Sequence, residues 1–294
     1  MMPAPDYLVV GNGYTGARLL AALPAGRALA LSRSAGDTVN GNGVREVDLD
    51  RPLAAALPGV AGAVVYTVPP ARVPGPDPRL SRFLDALPRA PARFVYFSST
   101  GVYGDCGGRR IDETARTRPT SDRARRRRQA ERLLDDWCRT NGTALVVLRV
   151  PGIYGPGRLG VERLQRGEAQ LAKADAGPGN RLHVDDLVRC ALAAVAAHTP
   201  AGIYNVGDGD HRSATWFAGA VAELAGLPAP AEVSRREAER SFSPRRLSFL
   251  NESRRVDTRR MREVLRVTPV FADPLDGIRA SLAARAGCAR SSAT

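Results

Sequence analysis

Lysine is nearly missing from this chain: Lys173 is the only one, so arginine supplies the rest of the 43 basic side chains. Four cysteines, at 106, 138, 190 and 288, show no CxxC spacing, and three histidines, at 183, 198 and 211, do not cluster. These shortages argue against a metal site and a disulfide framework. No apolar run approaches the roughly 20 residues of a membrane span, and the N-terminus lacks the charged and apolar blocks of a secretory signal. A cytoplasmic protein with no membrane attachment is expected. Acidic residues number only 30, which leaves a net charge of +13. The arginines are scattered, with no basic arm and no aromatic-interleaved platform, so nucleic acid is not the expected partner. A positive surface that attracts anionic cofactors and substrates accounts for them more simply.

What the chain does have begins at its start. Tyr7-Leu8-Val9-Val10 is a short apolar run suited to a buried parallel strand, and Ala17 to Leu23 supplies an apolar helical face. Between them lies Gly11-Asn12-Gly13-Tyr14-Thr15-Gly16. In a strand, turn and helix of this kind, Gly11 permits the tight turn and Gly13 a close approach to a pyrophosphate. Gly16 lets the helix pack on the strand while its free N–H groups face the anion.

The next strand, Arg27 to Leu31, ends in Ser32-Arg33-Ser34, about twenty residues past the glycines, where an NAD site places an acidic residue on the ribose hydroxyls. None stands there. Arg33 with its flanking serines suits a 2′-phosphate, because a guanidinium matches phosphate geometry with two parallel hydrogen bonds. The reading is NADP, with NAD as the alternative.

Strand-like runs then alternate with helical segments, as a doubly wound α/β chain with a parallel sheet requires. The runs are Ala63 to Val68, Ala92 to Phe97 and Thr143 to Arg149; the helices span about Arg79 to Leu87 and Thr120 to Thr140. The strand from Ala92 delivers Ser98-Ser99-Thr100 to its C-terminal end, where such sheets bind ligands. From Pro156 the composition shifts toward Gly, Pro and charge. We expect a Rossmann domain over residues 1–155, a smaller substrate-binding lobe over 156–294, and a return of 181–206 to the first domain. A chain of this length has core enough to fold without staples.

Several ordered motifs resemble the extended short-chain dehydrogenase/reductase group, the NAD-dependent epimerases and dehydratases. They are Ser98 to Asp105, Leu148 to Gly157, Arg181 to Leu187, Ile203 to Gly209 and Arg255 to Met261. The resemblance implies that Ser99 is the catalytic hydroxyl that hydrogen-bonds the reacting oxygen, with Ser98 beside it. It implies adenine contacts from Asp48-Leu49, a nicotinamide-ribose loop at Thr67-Val68-Pro69, and a strand end at Pro151 to Ile153 packed on the nicotinamide. His183 to Asp186 resembles a motif that either clamps the sheet to the lobe or meets substrate.

The departures are as informative. Counted back from Ala130-Glu131, the family's YxxxK tyrosine falls near Arg123 and its lysine near Arg127, and no tyrosine lies between Tyr103 and Tyr154. The chain therefore resembles an atypical branch that lacks YxxxK. Arginine can hold a ribose or phosphate, but with a pKa above about 12 it is a poor proton shuttle. Thr100 and Tyr103 are the expected assistants to Ser99, with Arg127 a cofactor contact. The expected function is an NAD(P)-dependent oxidoreductase or epimerase/dehydratase acting on a small, sugar-like or anionic substrate. The alternative is a non-catalytic NAD(P)-binding sensor or partner protein. Relatives also suggest a homodimer through the helices near Arg79 and Thr120, against which the arginine-rich start of the second helix argues.

Overall fold

The computed structural model describes residues 5–53 and 55–291. The first half of the chain runs β1 (Tyr7–Val10), α1 (Tyr14–Ala22), β2 (Ala28–Ser32), β3 (Gly43–Glu46), β4 (Ala63–Tyr66), α2 (Pro78–Asp85), β5 (Arg93–Ser99), β6 (Arg110–Ile111), α3 (Asp122–Thr140) and β7 (Ala144–Val150). It continues through β8 (Gly152–Tyr154), α4 (Val161–Gln165), β9 (Gln170–Leu171), β10 (Arg181–His183), α5 (Val184–Val195), β11 (Gly202–Asn205) and α6 (Ala214–Leu224). The last elements are β12 (Glu232–Val233), α7 (Arg235–Ser241), α8 (Pro244–Leu250), β13 (Arg255–Val256), α9 (Arg259–Glu263) and α10 (Pro274–Ser291).

Seven parallel strands form the main sheet in the order β11-β7-β5-β4-β1-β2-β3. The chain winds outward from β1 to β3, then crosses back to β4 and winds the other way. This is the doubly wound Rossmann topology, and its point of reversal lies between β1 and β4. Strand side chains alternate between two apolar layers. Val9, Val65 and Val95 pack with Leu19, Leu20, Leu187 and Ala191 of α1 and α5. Leu8, Val10, Val64 and Tyr66 face the other way, onto Leu80 and Phe83 of α2 and Ala130 and Leu134 of α3.

Gly202–Asn205 returns to the main sheet beside β7 as its edge strand, whereas β9 pairs with β12 outside it. A third apolar cluster joins Tyr154, Leu159 and Val161 to Val221 of α6 and Ile278 of α10. Serine side chains cap α6, α7 and α8, and at α7 Ser234 accepts the Glu237 N–H while the Glu237 carboxylate accepts the Ser234 N–H, a reciprocal capping box. Among the described residues, no helix is long and apolar enough to cross a membrane.

Candidate active site at the strand reversal

A crevice of about 960 Å³ opens at the C-terminal ends of β1, β2, β4, β5 and β7. Gly11, Asn12, Gly13, Tyr14, Thr15 and Gly16 line its centre. Gly11 has φ +102°, in the region that favours glycine, and a Cβ there would sit 2.5 Å from Thr67 Oγ1. A Cβ on Gly16 would lie 1.9 Å from the Gly11 carbonyl oxygen, so α1 can begin here only without one. Gly13 differs from both: a Cβ there would meet no protein atom within 4 Å and would enter the crevice. Packing therefore does not require a glycine at position 13, which borders the open space of the crevice. Asn12 Oδ1 is buried without a hydrogen-bond partner among the described residues.

No acidic residue stands in the first turn of α1, so its positive end and open N–H groups face the crevice unopposed. Tyr14 has Arg18 4.1 Å and Arg158 4.0 Å from its ring centre, and its hydroxyl donates to the Pro156 carbonyl at 3.1 Å. Burial raises the phenol's pKa although both guanidinium groups oppose the rise. These residues fit a dinucleotide pyrophosphate.

Ser32, Arg33, Ser34 and Leu49 line one end of the crevice. Asp48, the expected adenine contact, does not. Its carboxylate accepts the Asp50 N–H at 2.9 Å and pairs with Arg51 at 3.5 Å. Asp50 lines the crevice instead, and there it holds Arg79 of α2 in a two-pronged pair of 2.6 and 2.8 Å. Arg79 and Arg158 are site residues that the sequence does not announce, because they are two arginines among many and neither stands in a recognisable motif.

Thr67, Val68, Pro69, Ser98, Ser99, Arg127, Pro151 and Ile153 line the other end. The Thr67 hydroxyl lies within donating distance of the Val10 and Gly11 carbonyls, at 3.1 and 3.0 Å, and fixes this loop to the glycine turn. Ser99 Oγ accepts the Gly101 N–H at 3.1 Å, which leaves its own O–H to donate to a ligand. Arg127 donates to the Phe97 carbonyl and, at 3.2 Å, to the Tyr96 hydroxyl. Behind Ser99, the Ser98 hydroxyl donates to Glu131 at 2.5 Å, and Arg149 grips the same carboxylate at 3.1 and 2.8 Å. Both ionic partners are 3% exposed. A pair so buried holds only while both members are present, since losing one strands a charge at a cost of about 3–5 kcal/mol.

Thr100 and Tyr103 stand outside the crevice, contrary to the expectation from sequence. Both are buried, at 4% and 1% exposure. The turn after β5 carries Tyr103 away into the core, where its hydroxyl donates to Asn205 at 2.7 Å and Arg149 lies 4.7 Å from its ring centre. Burial raises the phenol's pKa further. Arg123, on the tyrosine position of the motif, donates to Ser248 at 3.0 Å, and its guanidinium lies 3.4 Å from the Phe249 ring centre. It therefore ties α3 to α8.

His183 accepts the Asp185 N–H on Nδ1 at 3.2 Å, and its Nε2 lies 3.2 Å from Ser281 of α10. Burial depresses its pKa. Asp186 accepts the Val270 and Phe271 N–H groups at 2.8 and 3.0 Å. The motif therefore clamps α5 to the C-terminal segment. Among the described residues, no group of three or more His, Cys, Asp and Glu side chains could hold a metal.

Known proteins resemble this chain in sequence and in fold. Residues 80–207 match the model of the NAD dependent epimerase/dehydratase family. Protein YeeZ of Escherichia coli K12 is 30% identical over 177 residues, a stretch that covers 58% of this chain and 61% of that protein. The structure of a functionally unknown conserved protein from Silicibacter pomeroyi DSS superimposes with a TM-score of 0.77 at 29% identity, covering 95% of this chain and 99% of that one. A UDP-glucuronic acid 4-epimerase from Bacillus cereus, solved in complex with NAD, has a TM-score of 0.68 at 16% identity, with 96% and 99% covered, and so shares the fold. Residues 80–207 are thus similar to the NAD dependent epimerase/dehydratase family, and the strand order is the fold of these solved structures, while arginines stand where a YxxxK pair would fall.

Proposed function

We propose that this chain binds NADP(H) in the crevice and acts as an oxidoreductase or epimerase on a small, sugar-like or anionic substrate held between the crevice and the lobe of residues 156–294. The observation that carries this reading is Gly13, where a Cβ would face the open crevice and not protein, which supports a close approach of a pyrophosphate. Arg33 at the end of β2, with serines on both sides, supports NADP over NAD.

A bound nicotinamide supplies hydride acceptance and donation. The chain's own contribution begins with Ser99, whose free O–H donates to a reacting oxygen. Arg127, fixed on the Phe97 carbonyl, holds the cofactor's ribose. Thr67 keeps the loop at the end of β4 against the glycine turn. Fluorescence titration with NADPH and NADH tests the assignment. NADPH binds more tightly in the wild type, and Arg33→Ala erases the difference; equal affinities that the substitution leaves unchanged would refute it.

A second reading, a non-catalytic NADP-binding sensor, is favoured by one observation. The tyrosine position holds an arginine tied to α8, and the nearby phenol of Tyr103 is committed to Asn205. A panel of carbonyl compounds and nucleotide sugars, in which none changes the redox state of bound cofactor, would select this reading.

A further inference from the structure

The end of the crevice beyond β2 holds more positive charge than Arg33 alone provides. Arg79 starts α2 and reaches back over the sheet. Its Nε and Nη2 bond the two oxygens of Asp50 at 2.6 and 2.8 Å, and its Nη1 donates to the Pro69 carbonyl at 3.2 Å. Those bonds use three of the five N–H donors of a guanidinium, which leaves two for a ligand. Arg33, Asp50 and Arg79 all line the crevice. The Arg79 hydrogen bond, with Arg33 and Arg82 helping, holds the Asp50 carboxyl below its ordinary range. Arg79 alone bonds that carboxylate, while Arg33 and Arg82 act on it through space and Asp77 also acts on Arg79.

Resting on the NADP reading above, we propose that Arg79, aimed by Asp50, is the second arginine of a two-arginine site for the cofactor's 2′-phosphate, and that the Asp50 carboxylate tempers the affinity of that site. A planar guanidinium already fixed on one carboxylate loses little rotational freedom when a phosphate joins it. Asp50 has the opposite effect on binding, because its negative charge lies beside the incoming phosphate.

The probe is the NADPH to NADH ratio of dissociation constants, measured by fluorescence titration at two salt concentrations. Arg79→Ala raises the NADPH constant by about tenfold to a hundredfold, as loss of hydrogen bonds to a charged group does, and leaves NADH within about twofold. Arg79→Lys keeps the charge without the fork and falls between. Asp50→Asn tightens NADPH by about threefold, an effect that fades at high salt as exposed charges do, and leaves NADH unchanged. Equal weakening of both cofactors by Arg79→Ala, or an unchanged ratio in either variant, overturns the two-arginine site. Arg33→Ala in the same series separates the two failures. A ratio that responds to Arg33 but not to Arg79 removes this inference alone, whereas a wild type that binds neither cofactor or prefers NADH removes the NADP reading with it.

Discussion

Replacing Gly13 and Gly16 by alanine, one at a time, separates the part of the glycine turn that serves a ligand from the part that serves the fold. At Gly16 the new methyl would lie 1.9 Å from the Gly11 carbonyl oxygen and 3.5 Å from Val9, so α1 must shift off β1. Overpacking of this kind costs about 1–3 kcal/mol or more, and for a chain of this size each kcal/mol lowers the melting temperature by roughly 2–4 °C. At Gly13 the methyl meets no protein atom, and the backbone, at φ −87° and ψ −160°, suits alanine. Lower unfolded-state entropy stabilises by about 0.4–1 kcal/mol, while alanine at an N-cap costs a similar amount. The two terms cancel to within about 1 kcal/mol. Thermal denaturation should therefore place Gly13→Ala within a few degrees of wild type and Gly16→Ala clearly below it. NADPH titration should show the reverse emphasis, with Gly13→Ala losing at least about tenfold because its methyl fills the anion cradle. A Gly13→Ala protein that melts normally and binds NADPH as well as wild type would refute the placement of the pyrophosphate at this turn.

Three further outcomes follow from the site and its surroundings. Ser99→Ala should lower kcat by about a hundredfold to a thousandfold, as removal of a donor at a developing oxyanion does, with NADPH affinity retained; Arg127→Ala should weaken NADPH binding instead, and steady-state kinetics with parallel titrations would expose a reversed pattern. Burial pushes Asp208 up to about 8, whereas the unfolded chain releases that proton near about pH 3.9, so the group's contribution to stability is full below about pH 4 and is lost as pH rises through 8, at up to about 1.4 kcal/mol per unit. Melting curves from pH 5 to 8.5 should show less of that decline in Asp208→Asn, and parallel curves for both proteins would count against it. Light scattering at moderate salt is expected to show a homodimer through α2 and α3, and a monomer mass would remove that association.

The sheet was legible in the sequence because its strands are short apolar runs buried on both faces, bounded by glycine and proline. Val9, Val65 and Val95 needed no tertiary knowledge to be read as core. β3 was not legible, since Gly43-Val44-Arg45-Glu46 has neither apolar continuity nor alternation. The glycine turn was legible through spacing, and Ser99 through its place at a strand end. Tyr103 was not: four residues of sequence separate it from Ser99, and the short helical turn at Thr100–Tyr103 sends it into the core, a direction that spacing alone does not encode. Asp50 and Arg79 are joined across 29 residues, and a pairing of that range among so many arginines leaves no local mark. The clamp at Asp186 is similar, because its partners are backbone N–H groups of Val270 and Phe271, which any sequence supplies.

The tie between Arg123 and α8 bears on how this protein could be redesigned. Writing a tyrosine and a lysine at positions 123 and 127 looks like a two-codon change, yet the first codon also severs the Ser248 hydrogen bond and uncovers Phe249, which already exposes 56% of its surface. Such a variant would lose a tie between α3 and α8 in the same step. Any such redesign would have to begin in α8, by giving that helix another hold on the sheet domain before residue 123 is touched.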